Sequence, residues 1–140
     1  MKRHARILLL LLGLLAAACA SAGSRGKANA LEKAQYAYSA ALRWGDIRGA
    51  WLQLDPAWRN THPLGDFDLE RYKQVQITSY EVMDSSGGGV DEAVRSVEIG
   101  LANRNTMAAR TMTYRETWHY DSESKTWWVT SGLPDFWNGQ

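Results

Sequence analysis

Thr111-Met112-Thr113-Tyr114-Arg115-Glu116-Thr117-Trp118-His119-Tyr120 is the cleanest alternation in the chain. Met112, Tyr114, Trp118 and Tyr120 fall on one parity, and Thr111, Thr113, Arg115, Thr117 and His119 on the other. A two-residue period sends one set to a packed face and the other to solvent, so the stretch predicts a strand of an antiparallel sheet over Met107–Tyr120. Glu116 is the polar exception on the packed parity.

Working outward, Ala93–Ala102 predicts a preceding strand, with Val97, Ile99 and Leu101 on its buried parity. Asn103-Arg104-Asn105 is the turn between the two. If the pair closes about Arg104, residues whose numbers sum to roughly 208–212 face one another, which brings Arg95 opposite Glu116. A structural ion pair is the favoured reading, because buried charges are seldom left unpaired. A ligand site formed by Arg95 and Glu116 is the alternative. Earlier still, Val75–Met83 predicts a first strand whose apolar parity slips near Thr78-Ser79, as a β-bulge would make it. Ser85-Ser86-Gly87-Gly88-Gly89 is its hairpin tip; the stretch lacks the GxxxxGK[ST] and GxGxxG patterns of phosphate-cradling loops. On the other side, Asp121–Lys125 turns into a fourth strand, Thr126–Thr130. Trp127 and Trp128 there point to opposite faces, one into the core and one toward a protein, glycan or membrane contact. Pro134 ends the sheet, and Phe136 with Trp137 folds back over an open end of the core.

Ahead of the strands the period is helical. Ala30, Ala34, Ala37, Ala41 and Trp44 recur at three- and four-residue steps and predict a helix over Leu31–Trp44. Gly45 offers a left-handed cap and Asp46 an N-cap for a second helix reaching Leu54. Trp44, Trp51 and Trp58 are expected as core anchors. Residues Ala57–Asp66 predict a loop with one helical turn, and Asp66 or Asp68 caps a short helix through Leu69 and Tyr72. His62, directly before Pro63, is expected as a solvated loop residue. The fold class that follows is α+β, an N-terminal helical hairpin and a short helix packed on a curved four-stranded antiparallel sheet.

The first residues carry a different signal. Lys2, Arg3 and Arg6 precede the apolar run Ile7–Ala18, which ends at Cys19, the only cysteine. A basic segment, an apolar core of about 7–15 residues and small residues before a cut mark a secretory signal peptide, too short to span a membrane. Leu15-Ala16-Ala17-Ala18-Cys19 resembles the lipobox of bacterial lipoproteins. That resemblance implies cleavage before Cys19 and acylation of its thiol, which also accounts for a lone cysteine in an oxidising compartment. Residues 1–18 are therefore read as the leader, 19–30 as a lipidated flexible tether and 31–140 as one domain. Aspartate after the acylated cysteine favours retention in the inner membrane of Gram-negative bacteria. The residue here is Ala20, so the resemblance implies the outer membrane, facing the periplasm, with the inner membrane as the alternative.

Charge and composition narrow the function. Without the leader, 13 basic side chains stand against 15 acidic ones, a net of −2. That balance lacks the basic field of a nucleic-acid binder. No HExxH and no metal-ligand spacing occurs, so no metal or other cofactor is expected, and His119 stands on the solvent parity with no triad around it.

Ala41-Leu42-Arg43-Trp44-Gly45-Asp46-Ile47, with the second helix ending in Asp55-Pro56, resembles the opening hairpin of nuclear-transport-factor-like (SnoaL-like) domains. The resemblance covers roughly residues 31–133 and implies a cone of helices and a bent sheet. As a whole the chain resembles small bacterial lipoproteins of unassigned function, and neither resemblance carries catalytic residues over. The function expected is a membrane-anchored binding or assembly module with an envelope protein partner. The alternative is a small-molecule-binding or enzymatic cone with its pocket near Glu116 and Arg95. Arg95, Glu116, Trp118, Trp128 and Trp137 are the candidate binding residues.

Overall fold

The computed structural model describes the backbone of residues 2–137 and the side chains of residues 23–137. Its elements are α1 (Lys2–Arg43), α2 (Ile47–Leu52), α3 (Pro56–Thr61), α4 (Asp66–Lys73), β1 (Val75–Gly87), β2 (Glu92–Asn103), β3 (Ala109–Asp121) and β4 (Thr126–Val129). Two compact units divide the chain, Met1–Lys33 and Ala34–Gln140. The first is helical throughout its described residues, including residues 20–29, where the sequence predicts irregular tether. Alanine, arginine and lysine are good helix formers, and Gly23 and Gly26 oppose that by only about 1 kcal/mol each.

In the second unit the helical hairpin closes at Gly45. With φ of +75°, Gly45 donates to the Leu42 carbonyl while Asp46 N–H reaches the Ala41 carbonyl at 2.8 Å, the paired bonds of a Schellman cap. Asp46 then caps α2 by accepting from Gly49 N–H at 2.8 Å. Asp55 caps α3 through Ala57 and Trp58 N–H, and Pro56 begins that helix at its first position, where no N–H is needed. Asp68 reaches back to Gly65 N–H at 3.1 Å and fixes the start of α4.

The sheet runs β1-β2-β3-β4, antiparallel throughout. The expected bulge is present as a register shift between Ile77 and Ser79, and a second lies between Val82 and Asp84. Gly100 pairs with Ser79 at the first shift, where a Cβ would collide with the hydroxyls of Thr78 and Ser79. β1 runs further than predicted, because the backbone of Ser85, Ser86 and Gly87 pairs with Arg95, Val94 and Ala93 and needs no side chain to do so. Asn103 Oδ1 accepts from the N–H groups of Asn105 and Thr106 and so shapes the β2–β3 turn. Leu54, just past α2, makes a single parallel bridge to Val129 on the outer side of β4.

Tyr38 and Leu42 of α1, Ala50 of α2 and Leu54 meet Val97, Ile99, Leu101, Trp118 and Val129 of the sheet, with Phe136 closing one end. Tyr38 and Trp118 touch edge to face, with ring centroids 5.7 Å apart. Trp44 corrects the sequence reading: it is 88% exposed and anchors no core. α1 ends at Arg43 with Tyr38 and Leu42 at the centre of its buried stripe, and Trp44 follows Leu42 by two positions, onto the far side. Trp51 and Trp58 are half-buried at the rim of the core. Trp58 stacks on exposed His62 at 4.1 Å.

Candidate functional site

The β2–β3 register sets Arg95 directly opposite Glu116. Glu116 is fully buried, because its place on the Tyr114–Trp118 parity turns it inward beneath the helices. Arg95 Nε–H and Nη2–H both donate to Oε1, at 2.9 and 2.5 Å. Trp118, two residues along the same face, donates its indole N–H to Oε1 at 2.5 Å. Tyr80 O–H donates to Oε2. The Arg95 side chain is itself only 11% exposed, so the ion pair lies in a low-dielectric interior where each charge depends on the other.

A second set of hydroxyls adjoins this knot. Tyr114 O–H donates to the Gly132 carbonyl at 2.6 Å and lies 2.8 Å from Ser131 Oγ. Tyr38 O–H lies 3.1 Å from the Tyr114 oxygen and 3.3 Å from the same carbonyl. Burial, and then the negative charge of Glu116, pushes the Tyr80 phenol far above its ordinary range. Burial is also the leading cause for Tyr114 and for Tyr38, both raised. These phenols therefore remain protonated donors at any physiological pH.

Chemically, this is an enclosed site, with Glu116 fully buried. A general base needs a free lone pair within reach of a substrate proton. Both oxygens of Glu116 already accept from protein donors, and Oε1 accepts three times. A cleft of about 420 Å³ runs along Trp118, His119 and Arg115, and Glu116 does not line it. Among the described residues no three His, Cys, Asp or Glu side chains converge on a common point that would hold a metal.

Of the residues singled out from the sequence, Arg95, Glu116 and Trp118 come together. Trp128 and Trp137 stand apart from them and from each other. Trp127 is buried and Trp128 half-buried, as the strand alternation implies. The Arg59 guanidinium lies 5.8 Å from the Trp128 ring and 5.3 Å from that of Trp51. Trp137 carries Arg71 over its face at 4.1 Å, against Tyr72. Cys19 lies outside the residues whose side chains are described. Tyr80 is the member that sequence reasoning missed. Its signal was present, since the bulge after Ile77 shifts Tyr80 onto the inward parity opposite Ile99.

No protein-family model matches the sequence, and no curated protein does. Among solved structures the chain is similar to a ketosteroid isomerase-like protein from Erwinia carotovora atroseptica SCRI1043. That chain is 19% identical with a TM-score of 0.49, over 73% of this chain and 89% of the other. The element order expected from the nuclear-transport-factor-like resemblance, helices first and then four antiparallel strands, is the one observed.

Proposed function

We infer that the chain is a lipid-anchored protein of the bacterial envelope whose α+β domain faces the periplasm as a binding module. In this reading residues 1–18 are removed, the acylated Cys19 anchors the chain in the outer membrane, and residues 19–30 link the lipid to the domain. The leader and the lone thiol support the anchor. The observation that carries binding over catalysis is the enclosure of Glu116, whose carboxylate is fully buried and holds four donor contacts. A carboxylate so engaged organises the interior and leaves recognition to the surface. An envelope protein partner is favoured by one feature in particular. Val82 and Met83 on the outer strand β1, and Val90 beyond its end, are all exposed.

Replacing Cys19 with Ser and fractionating cells tests the anchor. The wild-type protein is expected in the membrane pellet and the variant in the soluble fraction. A variant that pellets as fully as wild type removes lipid anchoring through Cys19.

A further inference from the structure

One cleft of about 310 Å³ is lined by none of the five candidate binding residues named from the sequence. It lies where the α1–α2 turn faces the start of β1, and Leu42, Ile47 and Phe136, all buried, form its floor. Its rim carries Trp44, 88% exposed, with exposed Arg43 and Arg104. Not one acidic side chain lines it. Asp46, the nearest carboxylate in sequence, is turned onto the Gly49 amide at 2.8 Å. Arg43 and Arg104 make no ion pair among the described residues.

The two cations come from distant parts of the chain and are held there by backbone structure. Arg43 is the last residue of α1, immediately before the Schellman cap. Arg104 sits in the β2–β3 turn, and its N–H donates to the Gln74 carbonyl at 2.8 Å, which pins that turn over the entry to β1. An exposed indole beside an apolar floor loses little by covering and gains by stacking on a flat or apolar group. Two guanidiniums without carboxylate partners offer planar, charged donors matched to a carboxylate or phosphate. The volume lies at the lower end of the range for small-molecule sites, about 300–1,000 Å³.

We propose that this cleft binds a small molecule bearing an anionic head, carboxylate or phosphate, on a flat apolar body. Arg43 and Arg104 take the head, and Trp44 covers the body. The assignment rests on the binding-module reading and adds a small-molecule ligand to that module beside its protein partner.

The test uses the full chain in detergent micelles, with empty micelles as the control for partitioning. The indole N–H resonance of Trp44, assigned by its loss in Trp44→Phe, is followed by NMR during titration. The probes are benzoate, phenyl phosphate, benzyl alcohol and inorganic phosphate. Benzoate and phenyl phosphate are expected to shift the resonance saturably, and comparison of the two ranks the head groups. Benzyl alcohol, which lacks the charge, should bind roughly tenfold more weakly, as should inorganic phosphate, which lacks the ring. Arg43→Gln and Arg104→Gln should each weaken the aryl anions several-fold and leave benzyl alcohol unchanged. Both side chains are exposed, so the variants fold, which their unfolding midpoints check. Equal binding of benzyl alcohol and benzoate, indifference to both arginine changes, or no shift with any probe overturns the proposal. These results are independent of the Cys19→Ser fractionation. Failed titration with a released Cys19 variant removes the cleft assignment alone, and successful titration with a pelleted variant removes the anchor alone.

Discussion

Arg95 and Glu116 face each other across the β2–β3 ladder, and the guanidinium places two N–H groups on one carboxylate oxygen, Oε1, at 2.9 and 2.5 Å. Oε2 is left to Tyr80. The pair is therefore part of a neutralised group of four side chains, in which each charged partner makes the burial of the other tolerable.

From this arrangement follows a non-additive pair of substitutions. Glu116→Gln leaves Arg95 charged and nearly buried without its counter-charge, and losing one partner of such a pair costs about 3–5 kcal/mol. Arg95→Met added to Glu116→Gln removes the stranded charge. The amide oxygen then accepts from Trp118 while the amide nitrogen donates to the Tyr80 oxygen, so both ends of the amide keep a partner. The double variant is expected to be more stable than Glu116→Gln alone, with a coupling of at least about 1 kcal/mol. Urea unfolding of the wild type, both single variants and the double variant measures the cycle. Simple additivity would show that the pair carries no structural role.

The ladder was legible in the sequence because its information is local and periodic. Alternation around Tyr114 and Trp118, with a short polar turn at Arg104, fixes which residues oppose one another, and the observed Arg95–Glu116 pairing is the consequence. The bulge was legible for the same reason, as a break in parity. Trp44 was misread because helical spacing ranks faces by hydrophobicity, and a tryptophan at the last turn scores as core wherever the helix ends. The Gly45 cap, by ending α1 at Arg43, put Trp44 beside Arg104, some sixty residues away in sequence. That juxtaposition is a product of tertiary structure and has no periodic trace. The continuation of α1 through residues 20–29 was missed because small and polar residues carry no face to read.

The buried phenols predict an alkaline limit to stability. Burial and the nearby carboxylates of Asp135 and Asp68 raise Tyr72 from 10.0 to about 12, and Tyr38, Tyr80 and Tyr114 are raised as well. Below pH 10 these groups are protonated whether the chain is folded or not, and their contribution is fully present. Above it the unfolded chain ionises first, so stability falls as pH rises from 10 through 12. Denaturation midpoints should be level below pH 10 and decline beyond it, with tyrosinate absorbance growing in step with unfolding. Ionisation of these phenols near pH 10 in a chain that stays folded would contradict it.

On the outward face of the sheet, Glu81 of β1 stands directly opposite Glu98 of β2. Like charges in register repel, and a cross-strand pair of opposite sign contributes about 0.2–1 kcal/mol. Glu81→Lys should therefore raise the unfolding midpoint modestly. The gain should shrink in high salt, because the pair is near the surface. A lowered midpoint at low salt would mean that Glu81 has a favourable partner stronger than this repulsion.

Two glycines with the same backbone angle separate strain from crowding. Gly45 has φ of +75° and Gly132 of +74°, so alanine at either position must adopt a left-handed conformation, at a cost of roughly 1–2 kcal/mol. At Gly45 a Cβ would meet nothing within 4 Å. At Gly132 it would come within 2.7 Å of Trp58 Cζ2, in a segment whose carbonyl accepts from Tyr114 and Tyr38. Relieving that approach means moving either Trp58, with His62 stacked on it, or the carbonyl that the buried phenols share. Overpacking of this kind adds about 1–3 kcal/mol. Gly132→Ala is therefore expected to destabilise the domain clearly more than Gly45→Ala, by an amount that Trp58→Leu should largely remove. Equal losses at the two glycines would mean that the contact between Trp58 and the C-terminal segment yields without cost, and that backbone angle alone sets both.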